Sequence, residues 1–164
     1  MPNPIDRSQI IANFPKRPRD SHKGMFGSVA VIGGASGMVG AALLAARAAL
    51  KMGAGCVHVG LLAENAPSVD VMQPELMLHR AQDALRHVID PGSSMKNAVI
   101  PAQAGIQSNK STGFPPSRER QNTVLAIGCG LGRDLAAQKL LYDALRSGVA
   151  LVLDADALNI LAQR

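Results

Sequence analysis

The stretch GGASGMVGAALLAARAAL, residues 33–50, follows the apolar run SVAVI at 28–32, and together they read as strand, glycine turn and helix. Residues 55–62, GCVHVGLL, read as a second strand after the stop signals Gly53 and Gly55, which makes one βαβ unit. The helix carries alanine at 41, 42, 45, 46, 48 and 49, so it can lie close against a sheet. Its charges, Arg47 and Lys51, are four residues apart and share one stripe.

The same alternation extends outward. ELMLH (75–79) reads as a short strand, AQDALRHVI as a helix, TVLAI (123–127) as a strand, DLAAQKLLYDALRS (134–147) as a helix and VALVLDA (149–155) as a strand, with ALNILAQ starting another helix. These strands are continuous apolar runs, as in a parallel sheet covered on both faces, so the class is α/β. Upstream, SQIIANF is a short helix that Asp6 or Ser8 caps and Pro15 ends. Residues 91–122 hold four prolines, three glycines and five serines without a sustained period, and are expected to be a disordered insert outside the sheet. Arg164 falls in or just after the helix that would cross to a next strand, so residues 1–164 are expected to form one partial domain. An unpaired strand edge and an uncovered helix face such as LNIL favour association into a homo-oligomer.

The bulk composition narrows the function. With 164 residues, 47% of them apolar, the chain supports one core. Aromatic residues make up 2% and there is no Trp, so base-stacking platforms have few candidates. The net charge of +5 comes from residues 1–23, with five Lys/Arg against two acids, and 96–120, with four against one. Both segments read as solvated loops, and no nucleic-acid partner is expected. Cys56 and Cys129 have no metal-ligand spacing and read as buried reduced thiols; His22, His58, His79 and His87 have none either, so no metal centre is expected. The N-terminus lacks an apolar signal core and no run approaches the roughly 18 residues of a membrane span, so no membrane contact and a cytoplasmic location are expected.

The glycine turn itself discriminates between ligands. A GxGxxG fingerprint starting at Gly33 meets Ala35 and Met38, and starting at Gly34 it meets Ser36 and Val39. The GxxxGxG alternative matches Gly33 and Gly37 and breaks at Val39. A nicotinamide-linked oxidoreductase, with Glu64 past the second strand as ribose acceptor, is therefore kept as one alternative, and a non-catalytic remnant as the other. What remains is a turn whose backbone N–H groups can approach a ligand and whose helix aims its positive end at an anion. GCGLG (128–132) is a second such turn, and LDADALN (153–159) puts Asp154 and Asp156 at the end of a strand. Asp156 reads either as a helix cap or as a polar contact to a ligand, a phosphate or a metal-bound water.

Taken in order, HKGMFGSVAVIGGASGMVGAALLAARAALKMGAGCVHV, PELMLH, AIGCGLG and LVLDADALN resemble the first half of the ADP-dependent NAD(P)H-hydrate dehydratase family, over about residues 22–90 and 122–162. The resemblance implies a ribokinase-like three-layer αβα sandwich with a mostly parallel sheet, truncated here. It implies a repair reaction in which hydrated NAD(P)H loses water at the expense of ADP, or ATP in some members, with Mg2+. By motif, Ala41 and Gly130 fall on substrate-binding positions, and Gly34, Gly37, Gly40, Gly132, Asp154, Asp156 and Asn159 are further candidates for substrate or phosphate contact. Replacing Gly130 with a bulky residue is then expected to weaken nucleotide binding with little change in fold. The family has proline where Cys129 stands. Its later motifs, TPHPGE, a lysine-glycine segment and a GTGD whose aspartate is assigned to catalysis, are expected after residue 164. No catalytic residue is assigned here, and the 164-residue chain by itself is expected to be inactive.

Overall fold

The computed structural model describes residues 6–13, 16–89 and 123–163, so the expected insert at 91–122 lies outside the described residues. The apolar runs form strands β1 (Ser28–Gly33), β2 (Cys56–Leu61), β3 (Met77–Arg80), β4 (Thr123–Ile127) and β5 (Ala150–Leu153). They stand in the order β3-β2-β1-β4-β5, every neighbouring pair parallel. The helices are α1 (Arg7–Asn13), α2 (Val39–Lys51), α3 (Ala81–Ile89), α4 (Leu135–Leu145) and α5 (Ala155–Ala162). A 3-10 turn at Lys23–Phe26 was not anticipated.

Successive residues of β1 point to opposite faces, and both faces are covered. Val31 packs with Ala42 and Ala46 of α2 and with Val57 and Val59 of β2. Ala30 and Ile32 pack on the other side with Leu85 of α3, Leu125 and Ile127 of β4, and Leu141 of α4. This two-sided burial is why the strands read as unbroken apolar runs. Ala42 and Ala46 are fully buried one turn apart, which lets α2 sit against the sheet. Gly60 does the same for α3: a Cβ there would stand 2.8 Å from the Ala84 Cβ and 3.0 Å from the Ala81 Cα.

Three local expectations change. The cap of α1 is Asp6, whose Oδ1 accepts from Gln9 N at 2.9 Å while Gln9 Oε1 accepts from Asp6 N at 3.1 Å, a reciprocal box that leaves Ser8 inside the helix. β3 begins at Met77 because Glu75 and Leu76 belong to a turn, with Leu76 N donating to Gln73 O. β5 ends at Leu153, and Asp154 becomes the N-cap residue of α5.

Arg47, one turn before Lys51 on the same stripe of α2, meets a partner from another segment. Its Nε and Nη2 donate to Asp70 Oδ2 and Oδ1, both at 2.7 Å, and Asp70 is the buried charged residue among those described. The pair ties the segment between β2 and β3 onto α2, and the Arg47 hydrogen bonds hold the Asp70 carboxyl below its usual range. Removing the guanidinium leaves a buried carboxylate without its cation. Arg47→Ala is therefore expected to lower the urea midpoint more than Lys139→Ala, which breaks the exposed 3.8 Å pair with Asp143.

At the β3 edge, the rings of His58 (β2), His79 (β3) and His87 (α3) gather, with centroids 5.4 Å apart for His58–His79 and 4.9 Å for His58–His87. Burial, then the neighbouring His87 and His79, pushes the His58 ring down to about 4, and burial also lowers His79. An unfolded histidine titrates near 6.5. Between these values the unfolded chain binds more protons than the folded one, so stability is full above pH ~6.5 and is lost as pH falls toward ~4. Urea midpoints measured across this range should show that decline, and His58→Gln should flatten it.

Candidate functional site: a crevice at the switch point of the sheet

The chain leaves β1 toward β2 and β3, while β4 and β5 lie on β1's other side, so the strand order reverses between β1 and β4. In an open parallel sheet, ligands bind outside the carboxyl ends of the strands at such a switch point. The glycine turns after β1 and after β4 stand on its two sides. They are joined by backbone hydrogen bonds, Gly34 N to Cys129 O at 3.1 Å and Ala35 N to Gly130 O at 2.7 Å.

Gly130 has φ 63°, and a Cβ on it would lie 2.8 Å from the Met38 Cβ, 2.9 Å from the Met38 carbonyl oxygen and 3.1 Å from the Ala41 Cβ. Ala41 and Gly130, far apart in sequence, therefore press against each other. This corrects the expectation that a bulky residue at 130 leaves the fold undisturbed, because no room exists for it beside the first turn of α2. Gly37 and Gly40, by contrast, face open space. Met38 at the N-cap position of α2 supplies no side-chain cap, so the first amides of this helix are not claimed by a side chain at that position.

The third motif joins the same place. Gly132 N donates to Asp156 Oδ2 at 2.9 Å. Asp156 thus sits in the first turn of α5 and holds the second glycine turn, and it is not the N-cap residue of that helix; Asp154 occupies that position without accepting a cap bond. Ala155 between them has φ 23°, the non-glycine residue with positive φ among those described. Such backbone strain costs of order 1–3 kcal/mol and gathers at ligand sites. Asn159 lies exposed further along α5.

Cys129 carries a role that spacing alone did not indicate. It is half-buried rather than buried, and burial together with a hydrogen bond to Asp154 pushes its thiol up to about 11, so it stays protonated at neutral pH. Beside the turns, a cleft of about 650 Å³ runs from Leu62 and Glu64 after β2, past Arg80 at the end of β3, to Asp134 at the start of α4. Asp134 caps its own helix, its Oδ1 accepting from Ala137 N at 2.8 Å. Among the described residues no helix is long and apolar enough to cross a membrane.

The chain is an α/β protein with a five-stranded parallel sheet and glycine turns on both sides of its switch point, and its structural neighbours are ribokinase-like. A ribokinase-like superfamily protein from Enterococcus faecalis superposes with a TM-score of 0.66 at 25% identity, covering 92% of this chain and 44% of that one. Residues 29–164 match the family model for NAD(P)H-hydrate dehydratase, and the chain belongs to that family. A bifunctional NAD(P)H-hydrate repair enzyme, Nnr, from Coxiella burnetii is 39% identical over 150 residues, which cover 92% of this chain and 25% of that protein. The ADP/ATP-dependent NAD(P)H-hydrate dehydratase of Bacillus subtilis, co-crystallised with ATP and Mg2+, superposes with a TM-score of 0.61 at 28% identity over 92% of this chain and 45% of that one. The chain thus spans less than half the length of these relatives.

Two substitutions separate packing from exposure in the turns. Gly130→Ala is expected to destabilise by about 1–3 kcal/mol through its φ and its contact with Met38. Gly40→Ala, in open space at the start of α2, is expected to leave the stability unchanged or raise it by up to about 1 kcal/mol. Urea denaturation of the two variants side by side checks both.

Proposed function

We propose that the polypeptide carrying these residues repairs hydrated NAD(P)H in the cytoplasm, using ADP or ATP. The observation that supports this reading is the convergence of the three glycine and aspartate motifs on one switch-point crevice, in a chain of this family. The reaction follows from the substrate's chemistry. A hydroxyl is a poor leaving group, so the nucleotide's terminal phosphoryl group is first transferred to it. Phosphate then departs as a proton is lost, the ring double bond is restored, and NAD(P)H and phosphate remain, with AMP when ADP is the donor.

The residues of this chain bind and orient. The amides at the start of α2, beside Gly37 and Gly40 in open space, present donors to anionic groups, while Gly34 and Gly132 donate to Cys129 O and Asp156 Oδ2 and keep the two turns close beside the ligand. Ala41 and Gly130 form a small-residue wall on which the substrate rests. Asp154 and Asp156 hold the second turn in place through Cys129 and Gly132, and Asn159 is a candidate polar contact beyond them. Mg2+ enters with the nucleotide's phosphates, which are its preferred hard oxygen ligands. No proton-transfer role is given to any residue here. Association of copies is proposed from the exposed Val152 and Leu158 at the β5 side.

A specific observation keeps one other reading. The order β3-β2-β1-β4-β5 is also that of a dinucleotide-binding half-sheet, and Glu64 lines the cleft just past β2. Incubation with NADPH hydrate, a nucleotide and Mg2+ decides between them. Recovery of NADPH that depends on ADP or ATP is expected from the polypeptide containing these residues, with Gly40→Phe raising KM for the hydrate about tenfold or more if the first turn faces the substrate. Hydride transfer from NADPH to a carbonyl compound, without recovery from the hydrate, would overturn the proposal.

A further inference from the structure

The histidine cluster at the β3 edge has no part in the reading above. His58 and His79 project from β2 and β3 toward α3, and His87 meets them from the last turn of that helix. Three different elements supply the rings, so no local sequence pattern announces them. His58 Nδ1 and His79 Nε2 stand 3.2 Å apart. Two nitrogens bound to one tetrahedral zinc at about 2.0–2.1 Å are about 3.3–3.4 Å from each other. The observed separation is close to that of a chelating pair and is equally that of an N–H···N hydrogen bond.

We propose that His58 and His79 form a binding site for a borderline divalent cation such as Zn2+ or Ni2+, with His87 as its third ligand. Among the described residues no three metal-ligating side chains already surround a common point. The His79 and His87 centroids are 6.5 Å apart while His58 lies 5.4 and 4.9 Å from them, so the proposal requires the exposed His79 ring or the His87 ring to turn about its side-chain bonds toward the shared ion. Imidazole nitrogens favour zinc, nickel and copper over magnesium and calcium, which want oxygen ligands. The nearby carboxylate, Asp83 in the first turn of α3, is 3.8 Å from Arg86 and stands ready as an outer partner for a ring N–H.

Such an ion would clamp β3, a four-residue edge strand, to both β2 and α3. His79 also forms part of the wall of the cleft that Glu64 and Arg80 line, so the clamp would fix that wall. The competing account of the 3.2 Å contact is an N–H···N hydrogen bond between two neutral rings.

Titration calorimetry of the tag-free 164-residue chain with ZnCl2, NiCl2 and MgCl2 distinguishes the two. Saturable binding of one Zn2+ or Ni2+ per chain, with no response to Mg2+, is expected. His79→Gln, at the exposed ring, should weaken zinc affinity at least tenfold, His58→Gln likewise, and Cys56→Ser/Cys129→Ser should leave it unchanged. Circular dichroism establishes that each variant is folded, and His79→Gln decides if His58→Gln is not. Absence of saturable binding, or equal affinity in His79→Gln, would overturn the site and leave the hydrogen bond as the account of the contact. Unchanged affinity in His87→Gln would remove the third ligand. None of these outcomes depends on the dehydration chemistry.

Discussion

The pairing of β1 with β4 is the interaction on which the rest depends. Five register pairs, from Ser28↔Thr123 to Ile32↔Ile127, align two strands whose paired residues are 95 positions apart in the chain. Closing so long a loop costs little more than closing one half its size, because the entropy grows only with the logarithm of length. Once the two strands are in register, their following turns have one place to go. Gly34 and Ala35 donate to the carbonyls of Cys129 and Gly130, and the crevice exists as a consequence.

That closeness restricts what the turns can contain. Gly33 abuts the Cys129 carbonyl, and Gly130 abuts Met38 and Ala41, so side chains at either glycine would push the turns apart. The position between them is less constrained. Cys129 stands where the family resemblance leads one to expect proline, and it compensates by pairing its thiol with Asp154, which ties the second turn to the start of α5. Asp156 adds a second tie through Gly132. The two aspartates therefore serve first as fasteners of the crevice.

The polar exceptions to an aliphatic core follow one rule. Asp70 is buried with Arg47 meeting it through two hydrogen bonds, and at the β3 edge His58 and His87 sit half-covered with the exposed His79 ring beside them. Burial of a charged or titratable group is tolerated where a partner is present and is costly where it is not. Acid sensitivity accordingly concentrates at the edge where imidazoles neighbour one another.

Much of this was legible in the amino-acid order because it is local. Apolar runs with glycine turns identify β1, β2 and β4 within a residue or so, and alanines spaced by a helical turn identify the buried face of α2. The family motifs single out Ala41 and Gly130, which the fold brings into contact. Contacts between distant segments were not legible. Nothing in the spacing of Arg47 announces Asp70, which folds over it from 23 residues on. His58, His79 and His87 have no meaningful spacing until β2, β3 and α3 stack them, and Asp156 reads as either a cap or a ligand contact until Gly132 approaches. Periodicity reports which face of an element is apolar, since each residue's environment along one helix or strand repeats with the backbone. Which side chains meet across elements depends on strand order and register, and those are properties of the whole sheet.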